Sequence, residues 1–455
     1  MTRFFLSSKP PAAFSAAAIA LSAGLLAAAC QTNTPTDSEP EAGSTETPEA
    51  NASADEGGDS SDSEPLKLGS LLPTTGDLAS IGQNMPIAVD LAVKTINACG
   101  GVNGQEVILI QEDSQTDPNA GAAAMSKLVE VDKVAGVVGA FASSVSSAAV
   151  DTAVRNEVLF ISPGSTSPVF SQRAEAGEFN GYWARTAPPD TYQAAALAKL
   201  ASERGFETAA TVAINNDYGV GFEQVFVESF QEAGGEVVNS DSPVRYDPKA
   251  TTFDTEAAAA FGEAPEAVLG VLYAETGSLL LKSAFEQGLT KDITVLLTDG
   301  VYSPDFVKSV GKGAGGSSVL GGDIEVLGTV PGADGQALES LTTLWAEDTG
   351  KELTAFVPHS WDAAILLMLA AQAAGENTGP GIQANLQAVA NEPGQEVSDV
   401  CEAMELLRNG EEINYQGASG DIELDDNGDT VGAYDVWTVS EDGSLETIGT
   451  VNPGS

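Results

Sequence analysis

The sequence predicts an α/β protein with two lobes. From residue 66 onward, short apolar runs typical of strands alternate with segments in which apolar residues recur at helical spacing. Because such alternation places crossover helices on the faces of a sheet, it predicts parallel sheets flanked by helices. The alternation occurs in two successive series, which indicates two lobes. The chain has 455 residues, of which 42% are hydrophobic, enough for about two or three domains.

The first series starts with a strand at residues 66–72. Apolar residues from Met85 to Ile96 then recur at helical spacing, and Gly100-Gly101 ends this helix. The same two patterns predict, in order, strand 106–111, helix 120–131, strand 134–139, helix 144–155 and strand 158–161.

The second series contains helices 192–203, 221–232 and 278–286 and strands 208–214, 236–238, 267–273 and 293–297. Four further helices follow at 335–347, 358–374, 382–390 and 398–408. Two strands at 421–424 and 433–439 end the pattern, with Asn427-Gly428 as the turn between them. The acids of this turn, including Asp429, lack the glutamate spacing of a calcium loop and predict a solvated turn.

Residues 1–30 form a predicted export signal. Arg3 and Lys9 provide a positive start, residues 11–29 are uncharged, and three alanines precede Cys30. The cysteine at the cleavage point resembles a bacterial lipobox, although Ala27 stands where leucine is usual. Lipidation of Cys30 is therefore expected, and ordinary signal cleavage beside an incidental cysteine is the alternative.

Residues 31–65 form a predicted tether. This segment contains ten acids and no lysine or arginine, and it is rich in Ser, Thr, Pro, Gly and Ala. Such a composition cannot bury enough apolar surface to offset the entropy of ordering, so we expect disorder. The like charges extend the segment, which would hold a globular body away from a membrane.

Charge and catalytic residues exclude several functions. The formal net charge is −47, which excludes nucleic-acid binding because that needs basic patches, and favours solubility, including in a saline setting. The sole histidine, His359, lies in an apolar helical stretch, and the sequence contains no nucleophile turn of the Gly-x-Ser-x-Gly type. No cysteine and histidine cluster has zinc spacing. We therefore expect no enzyme activity, no cofactor and no metal.

Two cysteines remain once Cys30 is assigned to lipid. Cys99 and Cys401 lie in a chain that is predicted to be exported, where disulfides form and persist. A disulfide between them is expected, and two buried thiols are the alternative.

Hydroxyl-rich loops follow three of the predicted strands. Residues 142–146 follow strand 134–139, residues 162–168 follow strand 158–161, and residues 298–300 follow strand 293–297. Ligands of open parallel sheets bind beyond the carboxyl ends of strands. Free N–H groups at a helix start suit a carboxylate, and an isolated aspartate such as Asp299 suits an ammonium. The alternative is that these residues only form helix caps and turns.

Several motifs together resemble a known family. They lie at residues 71–76, 96–104, 142–144, 161–166, 216–219 and 415–420. In this order they are similar to the type I periplasmic binding proteins of branched-chain amino-acid transporters, over residues 66–439. The resemblance implies two Rossmann-like lobes hinged by three crossings, which we place near Pro188, Gly300 and Gly417. The first lobe would then comprise residues 66–187 and 301–416, and the second residues 188–300 and 417–455.

The resemblance also implies a ligand site between the lobes. Ser143, Gly164 and Thr166 would hold a carboxylate, and Thr166 with Asp299 would hold the amine. Tyr218 would line the closing lobe. Ile81 stands where the family often places an aromatic residue against the ligand side chain. Leu272-Tyr273 stands where a tyrosine pair is common, so only Tyr273 is retained, and the side-chain preference departs from the family. Further candidates at the same loops and strand ends are Ser144, Ser165 and Glu275.

The implied function is that of an extracytoplasmic, membrane-anchored substrate-binding lipoprotein of an ABC importer. Its ligand would be a branched-chain or other neutral amino acid, and its partner the membrane permease. We expect a monomer attached to the membrane by lipid alone. The alternatives are a ligand-sensing receptor or regulator on the same fold, or a ligand that is an amide, a urea or another small carboxylate.

Overall fold

A computed structural model describes residues 64–313 and 315–452. The predicted signal segment, Cys30 and nearly all of the tether lie outside this range. The strands are β1 Lys67–Leu72, β2 Ile108–Asp113, β3 Gly136–Gly139, β4 Leu159–Ser162, β5 Trp183–Arg185, β6 Thr208–Ile214, β7 Glu236–Val237, β8 Val244–Tyr246, β9 Ala267–Val271, β10 Thr294–Leu297, β11 Glu325–Pro331, β12 Gln395–Val397, β13 Ile413–Tyr415, β14 Tyr434–Val439 and β15 Leu445–Val451.

The α-helices alternate with these strands along most of the described chain. They are α1 Ala79–Gly82, α2 Met85–Ala98, α3 Pro118–Ser126, α4 Ser143–Arg155, α5 Val169–Glu175, α6 Asp190–Glu203, α7 Asp217–Glu232, α8 Asp254–Phe261, α9 Ala274–Glu286, α10 Pro304–Val310, α11 Gly335–Thr349, α12 Val357–Ala374, α13 Gly379–Ala390 and α14 Val400–Arg408.

Two sheets confirm the predicted fold class. The first has five strands in the order β2-β1-β3-β4-β5, and all neighbours in it are parallel. The second has the order β15-β14-β11-β10-β9-β6-β7, with β8 also paired to β6. It is parallel apart from β14 and β15, which run antiparallel at one edge. Each sheet with its helices forms one lobe.

The second predicted crossing is wrong. Gly300 lies between β10 and β11, and these two strands are parallel neighbours in the second sheet. The chain therefore leaves that sheet only after Pro331, and β11 belongs to the second lobe rather than to the first. Glycine and turn residues mark Gly300 as a loop, but they do not reveal which sheet receives the next strand. Pro188 lies between β5 of the first sheet and β6 of the second, and Gly417 lies between β13, which pairs with β12 in a separate two-stranded sheet, and β14 of the second sheet.

The C-terminal strands also differ from the prediction. Residues 421–424 form no strand, and an isolated bridge between Gln416 and Asp421 is the pairing found there. Strand β14 instead pairs antiparallel with β11 on one side and with β15 on the other, and neither β11 nor β15 was predicted from the sequence. Short strands such as β5 and β8 were missed as well, because three residues are too few to show a periodic pattern.

Helix α12 forms the centre of the first lobe. Its residues are buried from Val357 to Ala371, and it packs against α2, α13 and α14 as well as β3 and β4. A helix that is apolar on every side belongs inside a protein rather than at its surface. Burial lowers the pKa of His359, within this helix, to about 3, so this imidazole is neutral near pH 7.

A buried carboxylate ties α12 to the third passage between the sheets. Asp362 of α12 accepts hydrogen bonds from the Tyr415 hydroxyl at 2.9 Å and from the Ala418 N–H at 2.9 Å. The N–H and the hydroxyl of Ser419 both donate to its second oxygen at 2.6 Å. A side chain at Gly417 would place its Cβ 2.6 Å from this carboxylate, so the close approach requires glycine.

Cys99 and Cys401 are joined by a disulfide in the structure. Their Cα atoms lie 5.4 Å apart although 302 residues separate them in the chain. Cys99 follows the end of α2 and Cys401 lies in the first turn of α14, so the bond ties two helices of the first lobe.

Candidate ligand-binding site

The loops after β3 and β4 place polar groups at the cleft face of the first lobe. Ser143 is the first residue of α4, and its buried hydroxyl accepts a hydrogen bond from the Ser167 N–H at 3.3 Å. Thr166 is fully buried, and its Oγ1 atom has no hydrogen-bond partner of good geometry among the described residues. Helix starts attract anions because their N–H groups are unpaired and their dipole is positive. This corner therefore suits a carboxylate.

Two other predicted residues shape this loop from inside the lobe. The Ser165 hydroxyl lies 3.0 Å from the Ala140 carbonyl oxygen and 2.8 Å from the Ser146 hydroxyl, so its hydrogen bonds are used within the protein. At Gly164, an added Cβ would lie 2.1 Å from the Phe141 ring, which explains why the loop needs glycine. Ser165 therefore builds the loop, whereas the Thr166 hydroxyl makes no hydrogen bond of good geometry within the described residues.

A buried arginine holds the same loop, and the sequence analysis missed it. The Arg185 side chain is fully buried, and its Nη1 atom donates to the carbonyl oxygens of Ser165 and Ser167, both at 3.0 Å. Its Nε atom pairs with Asp429 at 2.7 Å. Asp429 is itself buried, so the prediction of a solvated turn is wrong for this residue. The pair was invisible in the sequence because 244 residues separate its members.

The second lobe contributes a cluster around Asp299. The Tyr218 hydroxyl lies 2.7 Å from Thr298 Oγ1 and 2.9 Å from Asp299 Oδ1. The Tyr273 ring stacks on that of Tyr218, with centroids 5.6 Å apart, and its hydroxyl has no hydrogen-bond partner of good geometry in the described chain. The structure therefore brings together three predicted residues that lie far apart in sequence.

A second buried carboxylate, Asp190, lies in the same cleft and was not predicted. It starts α6 directly after the first passage between the sheets, and its N–H donates to the Thr166 carbonyl oxygen at 2.8 Å. Both of its carboxylate oxygens are buried without a hydrogen-bond partner of good geometry in the described residues. The sequence does carry a signal for Asp190. This acid follows Pro188-Pro189 and stands at the first residue of a helix, directly after a predicted crossing.

The two carboxylates create a demand for positive charge. Burial raises the pKa of Asp299 to about 6, partly offset by the hydrogen bond from Tyr218. Burial also raises the pKa of Asp190, and the negative charge of Asp299 raises it further. Two like charges withdrawn from water are costly unless a cation pairs with them. A ligand ammonium group would meet this demand.

A cavity of about 500 Å³ lies between residues of the two lobes. Ser144 and Tyr273 line it beside Asp77, Asn216 and Lys249. Two other predicted residues lie apart from the cluster described above. The Glu275 side chain is exposed at the start of α9, and Ile81 is buried in the core of the first lobe.

The described residues do not hold a metal centre or a membrane span. Among them, no group of three or more histidine, cysteine, aspartate or glutamate side chains is placed to bind a metal ion. None of the helices within residues 64–313 and 315–452 is both long and apolar enough to cross a membrane.

Comparison with known proteins defines the class of this protein. The family model for the receptor family ligand-binding region matches residues 84–442, and the chain belongs to this family. With the two-lobed fold, this membership identifies a ligand-binding protein of the type I periplasmic binding protein class. The predicted family is confirmed, and the relatives described below are binding proteins rather than enzymes.

Three proteins show the extent of the similarity. The chemotactic signal transduction system substrate-binding protein BasB of Halobacterium salinarum is 27% identical over 79% of this chain and 84% of its own. A Leu/Ile/Val-binding protein homologue of Brucella abortus is 27% identical over 69% of this chain and 79% of its own. A leucine-binding protein of Thermotoga maritima shares the fold with a TM-score of 0.70 at 24% identity, covering 85% of this chain and 99% of that one.

Proposed function

We propose that the protein captures a neutral α-amino acid between its lobes and delivers it to the permease of an ABC importer. The observation that carries this proposal is the pair of buried carboxylates, Asp190 and Asp299, with the Asp190 N–H bonded to the Thr166 carbonyl oxygen of the opposite lobe. A zwitterion complements this arrangement, since its ammonium pairs with the acids and its carboxylate with Ser143 and Thr166. The relative from Brucella abortus, a Leu/Ile/Val-binding protein homologue, supports the same substrate class.

The ligand should close the cleft and raise thermal stability. A ligand that binds only the closed, folded form stabilises it by about 2.7 kcal/mol at one hundred times Kd, and hinge closure shortens the molecule. The measurement is small-angle scattering and thermal melting with each of the twenty amino acids. We expect leucine, isoleucine or valine to lower the radius of gyration and raise the melting temperature. An unchanged radius and melting temperature across the whole panel would count against the proposal.

Chemotactic sensing is the second candidate function. It is favoured by the similarity to BasB, which is named as part of a chemotactic signal transduction system. Both functions use the same ligand site, so ligand binding cannot separate them. Deletion of the gene should abolish uptake of the radiolabelled amino acid if transport is the function. If the deletion instead abolishes only the swimming response to that amino acid, the partner is a chemotaxis transducer.

We further propose that the protein is exported and anchored by lipid on Cys30. The positive start, the uncharged run and the small residues before Cys30 support this site. Replacing Cys30 with serine in the native host is expected to release the body from the membrane fraction and abolish fatty-acid labelling. Replacing Ser38, in the adjoining tether, with alanine is the matched control and should change neither. A Cys30→Ser protein that stays membrane-bound and labelled would refute the lipid anchor.

A further inference from the structure

Asp77 reaches from the first lobe to a helix of the second. It lies in the loop between β1 and α1, and its Oδ1 accepts a hydrogen bond from the Thr276 N–H at 2.7 Å. Its Oδ2 accepts the Thr276 hydroxyl at 2.6 Å. The Glu275 N–H donates to the Asp77 backbone oxygen at 3.3 Å. Both hydrogen bonds of the carboxylate therefore cross the cleft.

This contact supplies a helix cap that α9 lacks. The first N–H groups of a helix have no partner within it, and a side chain at the preceding position usually accepts one of them. In α9 that position is Tyr273, whose side chain makes no capping hydrogen bond. Asp77 accepts the N–H of Thr276, the third helical residue, as a capping side chain would. Its negative charge also lies at the positive end of the helix dipole.

Contacts connect this cap to the proposed ammonium site. The Thr276 hydroxyl lies 3.1 Å from the Tyr246 hydroxyl, which accepts the Tyr273 N–H at 3.3 Å. The Tyr273 ring then stacks on Tyr218, whose hydroxyl contacts Asp299. Thr276 loses its hydrogen bonds to Asp77 when the cleft opens. It is connected through Tyr246 to Tyr273, which forms a wall of the proposed ligand site.

We propose that Asp77 is a positioning residue that holds the cleft closed, because it caps α9 only when the two lobes meet. The proposal rests on the proposed function in one respect, namely that closure encloses the ligand. When the lobes separate, the hydrogen bonds between the Asp77 carboxylate and the start of α9 break, and both groups must bind water instead. The cap therefore favours the closed state and slows release of the ligand without touching it.

A pair of serines allows the closed state to be trapped without a ligand. The hydroxyl oxygens of Ser80 in α1 and Ser303 before α10 lie 3.2 Å apart across the cleft. Cysteines at these two positions can form a disulfide only when the lobes are closed, since the bond requires close approach. The parent for the test is the full-length protein with Ser80→Cys and Ser303→Cys. The rate of bond formation under a fixed oxidant, followed by mass spectrometry of the linked peptide, reports closure.

Asp77→Ala is expected to slow this trapping by roughly two- to thirtyfold, the range for losing a helix cap. Thr276→Val, which keeps the N–H but removes the hydroxyl, should slow it less. The matched control is Lys282→Ala, which breaks an exposed ion pair with Glu286 within the same helix α9 and should change the rate less than twofold. Melting temperatures of all variants identify any general loss of folding.

The outcomes separate this inference from the proposed function. Equal trapping rates in the parent and in Asp77→Ala would overturn the role of Asp77, as would a parent whose cysteines never bond. Adding 5 mM L-leucine to the parent should accelerate trapping if the protein binds a branched-chain amino acid. If leucine has no effect while Asp77→Ala still slows trapping, the positioning role stands and the proposed ligand class fails.

Discussion

Replacing Asp299 with alanine is expected to weaken L-leucine binding by on the order of a hundredfold or more. Removing one partner of a buried charge pair costs roughly 2–5 kcal/mol, mainly because the other charge is left unpaired. Asp299 is 3% exposed and contacts Tyr218 in the cleft rather than the lobe core, so the protein should still fold. Calorimetric titration of wild type, Asp299→Ala and Asp190→Asn with L-leucine measures the effect.

An analogue without the amine tests the chemical basis of this loss. Wild type should reject 4-methylpentanoate, whereas Asp299→Ala should discriminate far less between the two compounds. Asp305→Ala is the matched control, because Asp305 is an exposed acid six residues away and should change affinity less than about twofold. If Asp299→Ala binds leucine within about threefold of wild type, the ammonium partner is elsewhere, and Asp190 is the next candidate. A wild type that prefers the amine-free compound indicates a carboxylate, amide or urea ligand instead.

The same anchor makes affinity depend on pH. The pKa of Asp299 in the ligand-free protein is raised to about 6 by burial. An ammonium ligand needs the ionised carboxylate, so below this pKa binding must first displace a proton. Affinity should therefore fall as the pH drops through about 6. The affinity of Asp299→Ala should depend less on pH than that of wild type. Calorimetric titrations of both proteins at several pH values measure this difference.

Replacing Arg185 with methionine is expected to destabilise the folded protein by about 3–5 kcal/mol. The substitution leaves the buried carboxylate of Asp429 without its cation, and an unpaired buried charge costs this much. It also frees the carbonyl oxygens of Ser165 and Ser167, which fix the backbone on either side of Thr166. We therefore expect weaker leucine binding as well, through misplacement of Thr166. Chemical denaturation and calorimetry measure the two effects.

A second variant distinguishes the charge pair from general packing. Asp429→Asn retains the shape and one acceptor oxygen, so it should cost less than Arg185→Met. Lys308→Ala breaks the exposed pair with Asp305 and serves as the control, with an expected cost below about 1 kcal/mol. Unchanged stability in Arg185→Met would show that the buried pair does not support the binding loop.

Much of the fold could be predicted from the sequence, and the exceptions have physical causes. Long periodic segments such as α12 were placed within a few residues, because apolar residues at a fixed spacing follow the geometry of the element. The three-residue strand β5 and the edge strand β15 were missed, since short or exposed strands carry little periodicity. Strand β11 was not predicted, and its residues were assigned to the wrong lobe, because sheet membership depends on pairing between distant segments.

The α/β class, the family and the loops that carry Ser143, Thr166 and Asp299 followed from the sequence, since these depend on local patterns and on motifs in a fixed order. The three-dimensional arrangement of the chain was needed to distinguish polar groups that are hydrogen-bonded within the protein from those that are not. The structure shows that the Ser165 hydroxyl is bonded within the loop and that the Glu275 side chain is exposed to solvent. It also shows the buried Asp190 carboxylate and the Arg185–Asp429 pair. Hydrogen bonding and burial are relations between residues far apart in the chain, and no local pattern encodes them.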